Sequence, residues 1–283
     1  MGTERFGFEG KSVLVVGGAT GMGAAAAEIA QQLGATLTVM DHAEITLRGV
    51  TALMVNLRDR ASIDAAIDAG DGKFDVVLSC TGAADGTPGI ERINFIGHRH
   101  LIERLVSEKR MPRGSAIGMI SSTAGLGWEA ELPALIEYLD TPDYDAAVAW
   151  VAAHPDTATY RWSKQAMNAY VARSAYTLLR RGIRINAILP GPTDTPFARA
   201  HADVWLAFGQ DYRADAGVPA ATPQDQAYPL LYLCSEAASY ITGATLVVDA
   251  GFGASGLTGT YPAATPANRF LLGRIGEFVL GQA

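Results

Sequence analysis

Tyr160 and Lys164 have the residue types and the spacing of an acid–base pair. They lie four residues apart, and residues with that spacing share one face of a helix. An ammonium close to a phenol favours the phenolate, so we expect Lys164 to lower the pKa of Tyr160 from about 10 towards neutrality. A tyrosine tuned in this way can give or take a proton at physiological pH. The alternative is a surface lysine beside a half-buried tyrosine, and the pair alone does not decide between the two.

A glycine-rich loop follows the first apolar run of the chain. The run 13–16 leads directly into Gly-Gly-Ala-Thr-Gly-Met-Gly at 17–23, and an Ala-rich helix is predicted from there to Leu33. Glycines let the backbone turn sharply towards a pyrophosphate, and the helix N-terminus offers N–H groups and a positive dipole end. The alternative is a glycine-rich turn followed by a capping aspartate. The candidate dinucleotide contacts are Gly17, Thr20, Gly21, Met22 and Gly23.

Asp41 indicates which dinucleotide this loop takes. It comes at the end of the next predicted strand, 20 residues beyond Gly21. A carboxylate at that place accepts hydrogen bonds from the adenosine ribose and repels a 2′-phosphate. No Arg or Lys lies in the loop or within six residues after Asp41 to reverse the preference. The sequence therefore predicts NAD(H) rather than NADP(H).

Composition and charge are those of a globular chain. Of the 283 residues, 49% are hydrophobic and 18% charged, which provides a core and gives no sign of disorder. The net charge of -7 argues against nucleic acid as a partner. Cys80 and Cys234 lie in apolar runs and are expected as reduced core residues. No run approaches roughly 18 apolar residues, and there is no cleavable leader, so we expect a soluble, cytoplasmic protein without a membrane span.

The histidines show no ligand spacing with cysteines or carboxylates, so no metal site is predicted. His98 and His100 are two apart on a predicted helix and point to different faces. Solvated side chains are expected for all five histidines. No Gly-x-Ser-x-Gly motif indicates a hydrolase.

Short apolar runs alternate with helical patterns from residue 12 to about 250. This alternation predicts an α/β fold: a single-domain Rossmann-type doubly wound parallel sheet covered by helices on both faces, spanning residues 1–283. The predicted strands are Ser12–Val16, Thr36–Met40, Leu53–Val55, Phe74–Ser79, Ser115–Ser121, Ile183–Leu189 and Thr245–Val248. The predicted helices of this alternation are Gly21–Leu33, Arg60–Ala69, Ile90–Lys109 and Tyr160–Arg181.

Two segments stand outside the alternation. Residues 126–159 separate a strand from a helix that a compact α/β unit would join in a few residues, and they form a helical insertion with helices predicted at Pro133–Leu139 and Tyr144–Ala153. Residues 256–283 form a C-terminal extension. Its end is apolar enough to need a partner surface, either its own or another subunit's.

With these residues together, the chain resembles the short-chain dehydrogenase/reductase family over roughly residues 10 to 252. Gly17, Gly21 and Gly23 match the family's Gly-x-x-x-Gly-x-Gly loop. Four further residues match its catalytic set, namely Asn94, Ser122, Tyr160 and Lys164. The run 190–195, Pro-Gly-Pro-Thr-Asp-Thr, resembles the loop that closes on the nicotinamide, and the run 247–251 resembles the family's final strand.

The resemblance implies roles for these residues. Tyr160 would exchange a proton with the substrate oxygen, Lys164 would lower its pKa and bond the nicotinamide ribose, and Ser122 would hydrogen-bond the same oxygen. Asn94 would support the lysine through a water and relay protons. The alternatives are a turn cap for Ser122 and a polar helix residue for Asn94. The other implied cofactor contacts are Asn56, Leu57, Gly82, Pro190, Gly191, Thr193 and Thr195, although threonines in such a loop often satisfy backbone groups only.

Two departures from the family pattern stand out. The run Ser79-Cys80-Thr81-Gly82 replaces the usual Asn-Asn-Ala-Gly, so that loop is expected to be held differently. Ser122 and Tyr160 are 38 positions apart, far more than is usual in the family, because the helical insertion lies between them. A similar insertion occurs in bacterial 3α-hydroxysteroid dehydrogenase/carbonyl reductases, whose pattern this chain resembles most.

These features predict an NAD-dependent oxidoreductase that interconverts a secondary alcohol and a ketone. The segment Pro196–Gly217 carries apolar side chains that suit a bulky apolar substrate such as a hydroxysteroid or terpenoid. These are Phe197, Val204, Trp205, Leu206, Phe208 and Tyr212. The alternative for them is packing against the inserted helices. The alternative function is a catalytically silent dinucleotide-binding regulatory protein. The resemblance implies a homodimer or homotetramer, since family members usually assemble through the two long helices. The alternatives are that the insertion blocks that contact or creates another, and that the apolar C-terminal extension reaches a neighbour.

Overall fold

Seven parallel strands form one sheet in the order β3-β2-β1-β4-β5-β6-β7 in the computed structural model, which describes residues 3–70 and 72–272. The strands are β1 (Ser12–Val16), β2 (Thr36–Asp41), β3 (Thr51–Met54), β4 (Val76–Ser79), β5 (Ala116–Ile120), β6 (Arg184–Pro190) and β7 (Thr245–Val248). The strand order reverses between β1 and β4. In such sheets that switch point, at the carboxyl ends of the strands, is where ligands bind.

The helices alternate with the strands as predicted, and several shorter ones were not predicted. They are α1 (Gly21–Gln32), α2 (Arg60–Ala69), α3 (Gly97–Ser107), α4 (Leu132–Leu139), α5 (Tyr144–Ala153), α6 (Tyr160–Leu179), α7 (Pro196–Arg199), α8 (Ala202–Trp205), α9 (Gln210–Ala216), α10 (Pro223–Cys234), α11 (Phe252–Thr258) and α12 (Thr265–Leu272). The predicted long helix from Ile90 to Lys109 instead begins with a π-helical turn, Arg92–Ile96, that runs into α3.

Both faces of the sheet are covered, which confirms the predicted doubly wound Rossmann-type fold. β4, β5 and β6 are buried along their whole length, so they show continuous apolar runs rather than alternation. α1 and α10 pack on one face, and α2, α3 and α6 cover the other. The sequence showed α10 only as the apolar run ending at Cys234. Its start is fixed by a reciprocal cap between Thr222 and Asp225, which stabilises the first turn.

The insertion lies on the outer faces of α3 and α6. Tyr138 of α4 is 1% exposed and packs between Phe95, at 5.5 Å between ring centroids, and Trp150, at 4.8 Å. The buried guanidinium of Arg99 on α3 donates to the Thr141 hydroxyl at 2.8 Å. The surfaces of the long helices on which the predicted assembly depends are therefore in contact with the chain's own α4 and α5.

Within the described ranges 3–70 and 72–272, no helix is both long enough and apolar enough to cross a membrane. The C-terminal extension is described as far as Leu272, and its apolar end from Gly273 to Leu280 lies outside the described residues.

Candidate active site

The carboxyl ends of β1, β2, β4, β5 and β6 bring the predicted site residues to one edge of the sheet. The glycine loop follows β1, Asp41 ends β2, Gly82 follows β4, and Ser122 follows β5. Tyr160 and Lys164 come from the first turns of α6, whose start is capped by the Thr159 hydroxyl on Trp162 N at 3.1 Å.

The glycine loop needs glycine at two points of close approach. Gly17 has φ +89°, and a β-carbon there would collide with the backbone and hydroxyl of Thr81. A β-carbon at Gly23 would collide with the carbonyl oxygen of Gly17 and lie 2.9 Å from Cys80 Cβ. These contacts press α1 against the end of the sheet, with Thr20 making no side-chain cap at its N-terminus. The first backbone N–H groups of α1 therefore have no side-chain acceptor at this cap. They can donate hydrogen bonds to an anionic group such as a pyrophosphate.

Asp41 is 8% exposed and its carboxylate is oriented by the loop itself. One oxygen accepts from Ala19 N at 2.9 Å and the other from Ala43 N at 3.0 Å. The second oxygen also lies 3.1 Å from His42 Nδ1. A carboxylate has about four acceptor positions, so the oxygen bonded by Ala19 keeps capacity for a ribose hydroxyl. Asp41 lines a cavity of about 630 Å³ together with the predicted contacts Asn56, Leu57 and Gly82. The residues at this end therefore fit the adenosine half of a dinucleotide.

The loop after β4 is anchored by two side chains of the helix that follows. His98 Nε2 bonds Thr81 O at 3.1 Å, while Asn94 donates to Ala83 O at 3.0 Å and accepts from Ala83 N at 2.7 Å. The expectation of a solvated His98 is wrong, because this side chain is fully buried. His100 is also largely covered, at 2.8 Å from Asp64.

Asn94 lies in the π-helical turn before α3 and is fully buried. Such turns often occur at functional sites. Its amide nitrogen is shared between Ala83 O and Ser163 Oγ, at 3.0 and 3.2 Å, and Ser163 Oγ donates to Tyr160 O at 2.7 Å. No direct bond joins it to Lys164. In the described part of the chain Asn94 thus braces the Ala83 loop and the first turn of α6.

Lys164 is 3% exposed and donates from Nζ to Ile120 O at 2.8 Å. Burial lowers its pKa to about 8, with the neighbouring Cys80 acting in the opposite direction. Its ammonium nitrogen lies 5.5 Å from the centroid of the Tyr160 ring. The four-residue spacing does place both side chains on one face, as predicted.

The predicted lowering of the Tyr160 pKa is wrong for this arrangement. Burial of the phenol raises its pKa to about 12, and a hydrogen bond with the Ser122 side chain opposes that rise. Desolvation of the phenolate is the largest cause, and the negative charge of Asp85 acts in the same direction. Ser122 Oγ also accepts from Ala124 N at 3.1 Å. Ser122 therefore caps a turn, which was its alternative role, and also contacts the tyrosine; its bond to the substrate oxygen stays a prediction.

The loop after β6 carries the remaining predicted cofactor contacts. Thr193 and Thr195 are buried, and their hydroxyls bond Gly191 O at 3.0 Å and Ala198 N at 3.1 Å, respectively. Both threonine hydroxyls thus bond backbone groups of their own loop, which was the alternative role predicted for them. The Thr195 hydroxyl accepts from Ala198 and keeps its own proton for a further acceptor.

The reacting side chains open into a cavity of about 290 Å³ between this loop and α6. Ser122, Tyr160 and Met22 line it, and none of its described lining residues is charged. The segment after β6 contributes Phe197, Val204, Trp205 and Phe208, and the C-terminal extension contributes Leu271. Leu271 had no signal in the sequence, because only the chain path of α12 brings it here.

Trp205 packs its ring against Tyr160 with centroids 4.8 Å apart and planes at 68°. Phe197 follows at 5.4 Å from Trp205. These aromatic side chains therefore face the reacting groups, and their alternative role of packing against the inserted helices is not what the structure shows. Leu206 and Tyr212 do not line this cavity.

No cluster of three or more His, Cys, Asp or Glu side chains that could hold a metal ion occurs among residues 3–70 and 72–272. Cys80 and Cys234 are both free thiols, as expected from their apolar surroundings.

A Rossmann sheet with a glycine loop, an acidic residue after β2 and a Ser–Tyr–Lys group beside them defines a dinucleotide-binding oxidoreductase. A family profile described as enoyl-(acyl carrier protein) reductase matches residues 146–253. The chain is an oxidoreductase and is similar over most of its length to the short-chain dehydrogenase/reductase family.

Curated relatives match along most of their length. Coniferyl-alcohol dehydrogenase of a Pseudomonas strain is 27% identical over 85% of this chain and 96% of its own. The 3-alpha-hydroxysteroid dehydrogenase/carbonyl reductase of Comamonas testosteroni is 28% identical over 86% of this chain and 97% of its own. The crystal structure of 3-alpha-hydroxysteroid dehydrogenase from Pseudomonas sp. B-0831 superposes with a TM-score of 0.70 at 23% identity, covering 88% of this chain and 99% of that one. That likeness concerns the fold.

Proposed function

We propose that this protein is an NAD-dependent dehydrogenase/reductase that interconverts a secondary alcohol and a ketone on a bulky apolar skeleton, such as a terpenoid or a hydroxysteroid. The observation that carries the proposal is the convergence of Ser122 and Tyr160 on one cavity with an uncharged lining that includes Met22 of the glycine loop, with the buried Lys164 ammonium 5.5 Å from the Tyr160 ring. Two relatives whose names include an alcohol and a hydroxysteroid dehydrogenase support the substrate class.

NAD is the proposed cofactor because Asp41 faces the adenosine end of the cleft. A solved relative of this fold is described as a complex with NADH. Arg58 also lines this cavity but is exposed and donates to Pro88 O at 3.5 Å. We expect Asp41→Ser to raise the NADP-to-NAD ratio of kcat/KM by about tenfold or more, because a like charge beside the 2′-phosphate costs several kcal/mol. Arg58→Ala is the matched control, and an unchanged ratio in Asp41→Ser would reject the assignment of Asp41.

Each side chain has one task in this proposal. NAD held by the glycine loop and Asp41 would supply the chemistry of hydride transfer to and from the carbinol carbon. Tyr160 holds the proton that passes to or from the substrate oxygen, and the Ser122 hydroxyl donates to the same oxygen as charge develops on it. Lys164 places a buried ammonium beside the phenol, and Asn94 fixes the first turn of α6 through Ser163.

The raised pKa of Tyr160 sets the direction of the pH dependence. A phenol with a pKa of about 12 keeps its proton at neutral pH, which suits proton donation during ketone reduction. Alcohol oxidation needs the phenolate, and its fraction increases as the pH approaches that pKa. We therefore expect kcat/KM for oxidation to rise with pH above neutrality.

The decisive experiment is turnover by the wild type and by Tyr160→Phe on a panel of cyclic alcohols, terpenols and 3-hydroxysteroids. We expect kcat to fall by about 10²- to 10⁴-fold in the variant, since that is the usual contribution of a general acid–base group. NADH binding, followed by its fluorescence, should be unchanged. Full turnover by Tyr160→Phe would reject the proposed chemistry. Tight NADH binding without any turnover by the wild type would favour the regulatory alternative.

We also propose a homo-oligomer in the cytoplasm, where the free thiols Cys80 and Cys234 stay reduced. Because α4 and α5 cover α3 and α6, the proposed contact uses the edge strand β7 and the adjoining α10. Leu246 is 40% exposed on β7, and Tyr228 is 60% exposed on α10. Light scattering at micromolar concentration should report a dimer or tetramer, and Leu246→Lys should dissociate it. A monomeric wild type would contradict this proposal.

A further inference from the structure

The C-terminal extension reaches the catalytic cavity through α12. Leu271, on the last turn of α12, is 8% exposed and lines the same cavity as Ser122 and Tyr160. α12 also packs against the turn Thr123–Gly125 that directly follows Ser122. A segment beyond the last strand of the sheet thus forms part of the active-site wall.

The position of α12 is fixed by contacts with α11. Asn268 is 4% exposed and donates from Nδ2 to Ala264 O at 3.0 Å, and the Thr265 hydroxyl donates to Gly256 O at 3.2 Å. A β-carbon at Gly256 would collide with the side-chain nitrogen of Asn268 and lie 2.8 Å from Ala264 Cβ. The glycine therefore allows Asn268 to sit against α11. This close packing determines how far Leu271 reaches over the cavity.

The cavity is small for the ligands it has to hold. Its volume is about 290 Å³, at the lower end of the roughly 300–1,000 Å³ typical of small-molecule sites. Met22 and the loop after β6 line the same space, so a nicotinamide ring shares it with the substrate. The described lining carries no charge, and burying a charged group there without a partner would be costly. A small neutral substrate fits both properties.

We infer that Leu271 sets the upper size limit of the substrate, so that the enzyme prefers neutral alcohols with one ring over fused-ring alcohols. This inference rests on the proposed function and, of the two skeletons proposed there, favours a monocyclic terpenoid over a hydroxysteroid. Trp205 and Phe208 of the segment after β6 bound the cavity together with Leu271. Leu271 differs from them because it comes from the extension, so its size can be changed without altering the loop that follows β6.

The test compares Leu271→Ala with Leu257→Ala on three neutral alcohols with one, two and four rings: cyclohexanol, a decalol and a 3-hydroxysteroid. Leu257 lies on α11, is 38% exposed and does not line the cavity, which makes it the matched control. We expect wild-type kcat/KM to fall as the ring number rises. Leu271→Ala should raise kcat/KM for the decalol by about tenfold or more, in the range that shape discrimination by an apolar pocket allows. The readout is the ratio of kcat/KM for the decalol to kcat/KM for cyclohexanol, which should rise in Leu271→Ala and stay at the wild-type value in Leu257→Ala.

Two further variants cover the case in which Leu271→Ala does not fold. Leu271→Met conserves volume and should keep the wild-type ranking, whereas Leu271→Phe should lower kcat/KM for the largest accepted alcohol. A wild type that prefers the four-ring alcohol, or a Leu271→Ala profile equal to that of Leu257→Ala, would overturn the inference. If the wild type turns over none of these alcohols, the proposed function fails instead. The size limit is then decided by binding of the corresponding ketones in the presence of NADH, measured by calorimetry, with the same ranking expected.

Discussion

The reacting corner and the substrate-facing segment of this site are held by different forces. Lys164 and Asn94 are at most 3% exposed. Lys164 bonds the backbone oxygen of Ile120, and Asn94 bonds the backbone of Ala83, at 2.7 to 3.0 Å. Across the cavity, Val204 is 61% and Phe208 36% exposed. There the contacts are aromatic edges, such as Trp205 against Tyr160. The reacting corner is held by directional hydrogen bonds among buried groups. The substrate-facing segment is held by contacts between apolar side chains.

This difference predicts how changes on the two sides should affect the reaction. Hydrogen bonds in a water-poor site are directional and costly to leave unmade, so changes in the reacting corner should reduce kcat. Apolar contacts scale with the area buried, so changes in the substrate-facing segment should alter KM and tolerate substitution by residues of similar size.

Ser122→Ala should reduce turnover strongly while leaving substrate binding almost unchanged. Loss of a hydroxyl that stabilises developing charge costs about 10²- to 10³-fold in kcat, by analogy with a single oxyanion donor. KM should remain near the wild-type value, because the bond strengthens only as charge develops. Steady-state kinetics in both directions measures the effect. Ser107→Ala, at an exposed position on α3, is the control. If Ser122→Ala alters KM alone, the reacting corner does not act through kcat, and the proposed difference between the two regions is wrong.

His98 should make the reacting corner sensitive to acid. Burial lowers its pKa to about 4, while the bond to Thr81 acts in the opposite direction and Lys164 adds to the lowering. The folded chain thus binds this proton less readily than the unfolded chain, whose histidine titrates near 6.5. The contribution of neutral His98 to the free energy of unfolding is complete above about pH 6.5 and is lost as the pH falls to about 4. The free energy of unfolding should decrease by about 3 kcal/mol across that window.

Urea denaturation of the wild type and of His98→Gln between pH 4 and pH 7 measures this contribution. The glutamine retains an N–H for Thr81 O and does not titrate, so its curve should lack the decrease. His154→Gln, at an exposed position, should follow the wild type. If the free energy of unfolding depends on pH in the same way in the wild type and in His98→Gln, protonation of His98 does not destabilise the reacting corner.

Lys164→Met should abolish turnover and raise the free energy of unfolding. The folded pKa of about 8 lies below the ordinary 10.5, so at pH 7 the buried ammonium destabilises the folded chain by about 3 kcal/mol, and the penalty disappears as the pH rises from 8 to 10.5. Removing the amine also loses the bond to Ile120 O, worth about 1 kcal/mol. A net gain of about 2 kcal/mol at pH 7 is expected, together with loss of turnover. Lys11→Met, at an exposed ion pair with Glu236, should change the stability by less than about 0.5 kcal/mol.

Sequence reasoning found the reacting corner because its residues lie in local motifs. The glycine loop, Asp41 and the pair on α6 depend on spacing within one element and its neighbour. The pKa of Tyr160 was wrongly predicted, since desolvation depends on everything packed around the ring. His98 was misjudged for the same reason. Leu271 could not be found at all, because its place in the cavity depends on the packing of Asn268 against Gly256, far from the motifs in the chain.

Trp205→Ala should have the smallest effect of the four and tests the substrate-facing segment directly. The ring covers one edge of Tyr160 and part of the cavity wall, so its loss removes apolar contact area that binds substrate and transition state alike. We expect KM for the alcohol to rise about tenfold, equivalent to about 1.4 kcal/mol, with kcat changed much less. Trp205→Phe should retain most of the wild-type KM, since it keeps an aromatic edge towards Tyr160. A large fall in kcat for Trp205→Ala would mean that the indole also orients the phenol. Trp205 would then belong with the hydrogen-bonded corner, and the boundary between the two regions would lie on α8 rather than at the surface of Tyr160.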